Sequence, residues 1–503
     1  GTEFLSRGAA NAHCALIGKL SYDWVVSYMA LLSIGAVLVP LDPDWHTEEL
    51  ADVVKSADCK FIISDAAIET KTIADAAGID SQNIFSTHGG SFTTVTELIA
   101  LGTKKLAAHD KSFNNAEIDP SKLALLVYTS GTTGKGKGVM LSQKAILSNV
   151  ANALKILTAG EKFVAVLPPH HTFGSTISLV APFCLGAEVY ISSGVKYVQR
   201  ELFEEKPDSM ILVPLYLEAF YRKIQKTLQE RDKTKLVGTM IGVSNTIRKV
   251  GIDLSNKLFA AILEPFGGRL QTIACGGAPM SPEIFHFFSS IGITLINGYG
   301  ITECAPLISA NRNKHIVPGT VGMPIPCDKV KIDSPDQNGE GEICVKGPNV
   351  MLGYYNDEEA TAATIDADGY FHTGDIGKFH ESGYLCITGR LKNLIILSNG
   401  KNVYPEEIEQ DLSSIPGIEE IVVYEGVSKT EGAGNKIVAE IFPDENYIQA
   451  NNIEDLQKYF MPYINDYNRK AVPYKKIGVL KLRNEPFPKN TLRKIVRFKI
   501  DKT

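Results

Sequence analysis

With 503 residues, 44% apolar and 21% charged, the chain has enough sequence for at least two globular domains with substantial cores, and its net charge of −6 argues against a nucleic-acid surface. Eight cysteines without C-x-x-C spacing point to a reducing compartment and away from structural zinc. Residues 1–14 lack a basic start followed by an apolar core, and no apolar run reaches the ~20 residues of a membrane span, so cytoplasmic placement is expected.

The most apolar stretch, Tyr28 to Leu41, is interrupted by Gly35 and Pro40. From Ala15 to Ile291, short β-branched runs alternate with helical patterns. Phe163–Leu167, Glu188–Ile191, Met210–Val213 and Leu270–Ala274 read as strands, Leu215–Arg231 as a helix, and Ser281-Pro282-Glu283 as a helix start. The alternation predicts layered α/β structure with largely parallel sheets. After Val330 the texture becomes glycine-punctuated strands, including Gly341–Lys346, Tyr384–Thr388 and Leu394–Leu397. A mixed tail follows, with Ile421–Tyr424, Lys436–Ile441 and a helix around Ile453–Tyr463.

Directly after the apolar run Leu123–Val127 comes Tyr128-Thr129-Ser130-Gly131-Thr132-Thr133-Gly134-Lys135-Gly136-Lys137-Gly138. Glycines permit the positive φ that turns successive N–H groups toward one point, hydroxyls add donors without bulk, and lysines supply charge, which together make a polyphosphate clamp for ATP. A Gly/Ser/Thr-rich surface turn has the same composition. The loop is also a near miss for a Walker A sequence, with Gly138 where Ser or Thr would hold Mg²⁺. Val139-Met140-Leu141 reads as extended, and a helix starts more naturally after the N-cap candidate Ser142, which puts a P-loop NTPase second.

Four further segments carry chemistry. The small residues Gly276, Gly277, Ala278 and Pro279 follow a strand and let a flat base approach the backbone; a tight strand-to-helix turn needs the same residues. In Asn297-Gly298-Tyr299-Gly300-Ile301-Thr302-Glu303, Tyr299 offers a ring for adenine, Thr302 a donor for the α-phosphate and Glu303 a carboxylate for Mg²⁺. In Gly369-Tyr370-Phe371-His372-Thr373-Gly374-Asp375, the final carboxylate can accept from two ribose hydroxyls at once. The segment Leu167 to Ser178, which contains His170 and His171, holds no Asp or Glu.

In this order, these motifs resemble the signatures of the adenylate-forming superfamily, which includes acyl-CoA synthetases, firefly luciferase and the adenylation domains of peptide synthetases. Lys137 and Gly138 match its Gly-x-Pro-Lys-Gly, with Gly136 in place of proline. The resemblance implies that Gly277 to Pro279 contact adenine, that Asp375 holds the ribose with support from Arg390, and that Lys392 is the hinge of a mobile tail. It further implies that His171 lines the acyl site and that Gly400 borders the path of the pantetheine thiol. Pro488-Lys489-Asn490-Thr491-Leu492-Arg493-Lys494 resembles the C-terminal catalytic segment, so Lys494 would bridge the substrate carboxylate and the α-phosphate. Asn490 and Arg493 depart from the usual threonine and glycine, and Lys489 is a rival for the role.

The implied fold is a large N-terminal AMP-binding domain over 1–389, of layered α/β sheets plus a β-barrel-like subdomain, a hinge at 390–392 and a small mobile α+β domain over 393–503. Family members carry further residues ahead of Gly1, so a truncated start is expected. The implied activity is an acid–thiol ligase using ATP, Mg²⁺ and coenzyme A. The acid-free segment 167–178 disfavours amino acids, whose α-ammonium needs a partner when buried. Val213-Pro214-Leu215 looks like the long-chain fatty acyl-CoA synthetases, which makes a medium or long fatty acid the expected substrate, with peripheral membrane association through that lipid. An acyl-AMP ligase loading a carrier protein and a non-catalytic nucleotide-binding homologue are the alternatives.

Overall fold

The computed structural model describes residues 1–129, 136–158, 160–313, 315–397, 402–426, 436–489 and 495–501. Among them, two large sheets carry the first 324 residues, and both are parallel at their centres, where near-continuous apolar strands are covered on both faces by helices. One sheet has eight strands and is built around His13–Ile17, Val37–Leu41, Cys59–Ser64 and Leu123–Thr129. The other has seven and is built around Lys162–Ala165, Ser209–Leu212, Thr272–Gly276 and Thr294–Gly300.

The apolar stretch Tyr28 to Leu41 resolves into the end of the helix Tyr22–Leu32 and the strand Val37–Leu41, with the turn at Gly35 (φ +73°). Ser21 caps that helix by accepting from Trp24 N at 3.2 Å. Its buried face (Trp24, Tyr28, Leu31) joins a core shared with Leu179, Val180 and Tyr299 of the second sheet's half. No helix among the described residues is long and apolar enough to cross a membrane.

Further on, Lys329–Asp333, Gly341–Lys346, Phe371–Phe379 and Leu385–Arg390 form a four-stranded antiparallel sheet. A separate three-stranded sheet, Ile418–Gly426, Lys436–Pro443 and Ile477–Leu482, packs its own core (Ile408, Val423, Ala439, Phe460) against the helices Pro405–Leu412 and Leu456–Lys470. The expected elements are present with ends shifted by at most three residues, except the helix expected around Ile453–Tyr463, which runs over Leu456–Lys470.

Candidate active site

The strands Leu123–Thr129 and Lys137–Ser142 pair antiparallel, with Thr129 opposite Lys137. The lysine- and glycine-rich loop therefore joins the arms of a hairpin. A Walker A loop passes from strand directly to helix, so that alternative is set aside. The helix Gln143–Ile156 begins only after the second arm, capped by Ser142, whose Oγ accepts from Ala145 N at 3.1 Å. Ser130, Gly131, Thr132, Thr133 and Gly134 lie outside the described residues.

At the loop's rim, Lys137 Nζ sits 4.7 Å from the ring centroid of Tyr354, a cation–π contact worth about 0.5–1 kcal/mol at an open site. Tyr354 belongs to the short strand Gly353–Tyr354, paired with the hairpin's second arm. Its hydroxyl donates to Glu303 Oε1 at 3.0 Å. Burial, reinforced by the Glu303 charge, holds that hydroxyl in its protonated form. Tyr354 thus ties the cationic loop to the carboxylate of the second motif. Sequence reasoning missed it, because a tyrosine after a glycine carries no signal of a partner half a hundred residues away.

The third motif closes on the second. Asp375 stands opposite Arg390 in the pairing of Phe371–Phe379 with Leu385–Arg390. Arg390 Nε donates to Oδ1 at 2.7 Å, and the Tyr299 hydroxyl donates to Oδ2 at 2.8 Å. Asp375 is 4% exposed. Burial and then the Asp375 charge push the Tyr299 hydroxyl well above its ordinary range, so it stays a donor. For Arg390, burial opposes the charge and Asp375 more than offsets it. A carboxylate has about four lone-pair directions, and these two bonds use two of them. The Tyr299 ring is itself buried in the core, 6% exposed, which leaves little of its face for stacking.

Just before Asp375, the His372 ring is held on both sides: Nδ1 lies 2.9 Å from Glu342 Oε2 and 3.4 Å from Cys344 Sγ, and Nε2 lies 3.5 Å from Asp366 Oδ2. Glu342, Cys344 and His372 bring potential ligand atoms within 4.8 Å of one another, but hydrogen bonds and an ion pair already account for the arrangement. Glu342 Oε1 also accepts from Gly374 N at 2.9 Å, so this network braces the turn that presents Asp375. The bond to Glu342 raises the His372 pKa above the ordinary histidine value against the effect of burial. A raised basic group stabilises the fold fully below its unfolded pKa of about 6.5 and ceases to as pH climbs through the folded value. His372→Gln should therefore lower the thermal midpoint at pH 5.5 more than at pH 8.5; an equal loss at both would separate the histidine's charge from its role here.

Glycines set the close approaches. Gly276 and Gly298 are register partners on neighbouring strands, and a Cβ on Gly276 would lie 3.0 Å from Gly298 O. Gly277 turns at φ +85°, and Gly277, Ala278 and Pro279 face solvent at the strand's end. A Cβ on Gly300 would sit 2.1 Å from Pro306 O and 2.7 Å from Pro306 C, both rigid backbone atoms. Gly300→Ala is expected to cost about 3 kcal/mol, read as a lowered thermal midpoint with weakened nucleotide binding; a wild-type midpoint would refute the clash. Asn297 Nδ2 donates to Thr320 O at 3.1 Å, and Thr302 opens the 3₁₀ turn Thr302–Cys304.

The histidine segment takes an unusual form. Residues Phe173–Val180 make a π-helix, a widened turn that often marks function. Gly174 is required beneath it, since a Cβ there would lie 2.1 Å from Pro168 O. His170 and His171 have ring centroids 4.3 Å apart, and His170 Nε2 is 3.5 Å from Asp42 Oδ2. Asp42, just past the end of the strand Val37–Leu41, lies buried beside His170. Burial lowers the His170 pKa, opposed by Asp42 and Asp44. Phe173 reaches the second motif's neighbourhood, its Cζ 3.6 Å from the Cβ position of Gly276.

Toward the C-terminus, Lys392 lies in the 3₁₀ turn Leu391–Asn393 with its side chain exposed, and Asn393 Nδ2 donates to Glu406 Oε1 at 2.5 Å. Lys489 and Ile495 pair as an antiparallel bridge, and Val496 N donates to Pro488 O at 2.7 Å. Lys489 is engaged by Glu420, whose Oε2 also accepts from Phe487 N at 2.8 Å. Lys494 and Gly400 lie outside the described residues.

A family model for AMP-binding enzymes matches residues 4–355. A long-chain-fatty-acid–CoA ligase of Mycobacterium bovis, FadD15, is 28% identical over 473 residues, covering 88% of this chain and 75% of the relative. The chloroplastic long-chain-fatty-acid–[acyl-carrier-protein] ligase AEE15 of Arabidopsis thaliana is 28% identical over 489 residues, covering 82% of this chain and 67% of its own. In fold, the chain is similar to o-succinylbenzoate CoA synthetase (MenE) from Bacillus subtilis, solved with its acyl-adenylate intermediate, at a TM-score of 0.73 and 20% identity, covering 99% of this chain and 90% of that one. With the family model spanning more than half the chain and the same two-domain fold around the converging motifs, this protein belongs to the AMP-binding, adenylate-forming enzyme family.

Proposed function

We propose that the chain is an ATP-dependent acid–thiol ligase that activates a medium or long fatty acid as an acyl adenylate and passes the acyl group to coenzyme A. One observation carries this reading: buried Asp375 gathers Arg390 and Tyr299 from separate segments into a single preset acceptor for the ribose hydroxyls.

A carboxylate is a poor acyl donor because its leaving group would be oxide. Attack of its oxygen on the α-phosphorus of ATP forms the acyl–phosphate bond and expels pyrophosphate, after which a thiol can displace AMP. The first step brings anions together, so its barrier falls where fixed cations meet the building charge. Lys137 stands at the loop that would hold the departing pyrophosphate, and Lys494 is assigned to the reacting centre. Lys489 suits that role less well, being committed to Glu420. Thr302 would donate to the α-phosphate, and Gly277 to Pro279 would border the base.

Glu303 fits Mg²⁺: among the described residues only Tyr354 donates to its side chain, which leaves a hard oxygen donor of the kind this ion takes together with phosphates and water. Bound there, the ion would offset charge on the phosphates.

The second step needs room for a thiol where Lys494 stood. A tail over 393–503 swinging about 390–392 at Lys392 would supply it, with Gly400 on the thiol's path. His171 is assigned to the acyl site, beside the π-helix.

The name of the Arabidopsis relative favours a second reading, transfer to an acyl carrier protein. Both readings give ³²P-pyrophosphate exchange into ATP only when a fatty acid is present, and a screen across chain lengths tests this. Coenzyme A thioester formation then separates them. Nucleotide binding without exchange with any acid would overturn both.

A further inference from the structure

We propose that the helix Thr234–Arg248 and the turn that follows it form a docking face for an anionic lipid surface. Leu236 and Val243, seven residues apart, share one side of the helix, and Val250 follows in the turn after it; they are 56%, 51% and 75% exposed. Ile252, 53% exposed, continues the stripe. Val237 and Ser244, one position further round, are the buried residues of the same helix, which fixes the orientation of the apolar stripe outward.

Charge names the occupant. Residues 233–257 hold five lysines and arginines against one acid, in a chain whose net charge is −6. Lys233, Lys235 and Lys249 stand exposed at the two ends of the stripe, where long side chains can reach headgroups while the aliphatic residues enter the boundary with the acyl chains. A second copy of this face would bring like charge against like charge in a two-fold contact. Between the apolar residues, Gly238 and Gly242 have open space beyond their Cβ positions, so the face projects outward without a groove to seat a protein side chain. The helix runs about 22 Å, a length suited to lying in the plane of an interface. The inference does not depend on the ligase reading, since binding is measured without turnover.

The test is co-sedimentation of the full chain with vesicles of phosphatidylcholine alone or of equimolar phosphatidylcholine and phosphatidylglycerol. Binding is expected only with the anionic lipid and should be lost at ~1 M salt. The variant K233Q/K235Q/K249Q should weaken it on the order of 100-fold. L236S/V243S/V250S should weaken it as well, with an unchanged thermal midpoint, because these side chains are exposed in the fold. Three results would each overturn the proposal: no sedimentation of the wild-type chain with anionic vesicles; binding that neither variant alters; or a serine variant that dissolves a dimer or abolishes capture of an acidic carrier protein while leaving vesicle binding intact.

Discussion

Asp375→Ala is expected to lower kcat/KM for ATP by a factor on the order of 10²–10⁴ in fatty-acid-dependent pyrophosphate exchange. The estimate follows from losing two charge-assisted hydrogen bonds to the ribose, each contributing about 1.5–3 kcal/mol when made in a desolvated site. The substitution also strands its partners: Tyr299 loses its acceptor and Arg390 its counter-charge. Removing one member of a fully buried pair costs about 3–5 kcal/mol, but Arg390 leaves 44% of its side chain exposed, so water should hold the loss of fold stability to about 1–2 kcal/mol. Activity should therefore fall much further than stability. Tyr299→Phe keeps the carboxylate and removes only one bond to it, for an expected loss of about tenfold. Should Asp375→Ala retain wild-type KM for ATP, the ribose assignment fails whatever the fate of the fold.

Lys494→Ala should reduce adenylation on the order of 10³-fold, the usual scale for deleting one fixed charge at the centre where charge develops. Thioester formation from supplied acyl adenylate should stay within a few-fold of wild type, because in the proposed cycle the tail has by then carried that lysine away. Equal loss in both half-reactions would argue against a swinging tail. Lys489→Ala provides the contrast: its partner is Glu420 within the same small domain, so stability should drop and adenylation should change little.

These expectations differ in how much of their basis could be read from the chain alone. The composition of the loop 128–138 suits a phosphate clamp and a plain surface turn alike, so only its order with the later motifs pointed to phosphate chemistry. The extended reading of Val139 to Leu141 and the cap at Ser142 depend on neighbouring residues and are met in the structure. Local physics suffices where an element is made by contacts a few residues apart. Tyr354 belongs to the other category. Nothing within its own segment indicates that it will join the Glu303 carboxylate to the Lys137 ammonium; that depends on a two-residue strand adding to the edge of the hairpin. Asp42 is similar: it reaches His170 from just beyond a strand of the other sheet.

By itself, then, the amino-acid order determined which chemistries are available and in what succession: a cationic glycine loop, an aromatic–hydroxyl–carboxylate motif, an aspartate after a glycine turn and a lysine near the end. The tertiary structure decided which of them meet. Asp375 becomes a preset acceptor only because strand register sets it opposite Arg390 and sheet packing delivers the Tyr299 hydroxyl to its second oxygen. The outward pair Leu236 and Val243 likewise acquires meaning only once folding has buried Val237 and Ser244 beside it, since helical periodicity shows that residues share a face but not which face the core will claim.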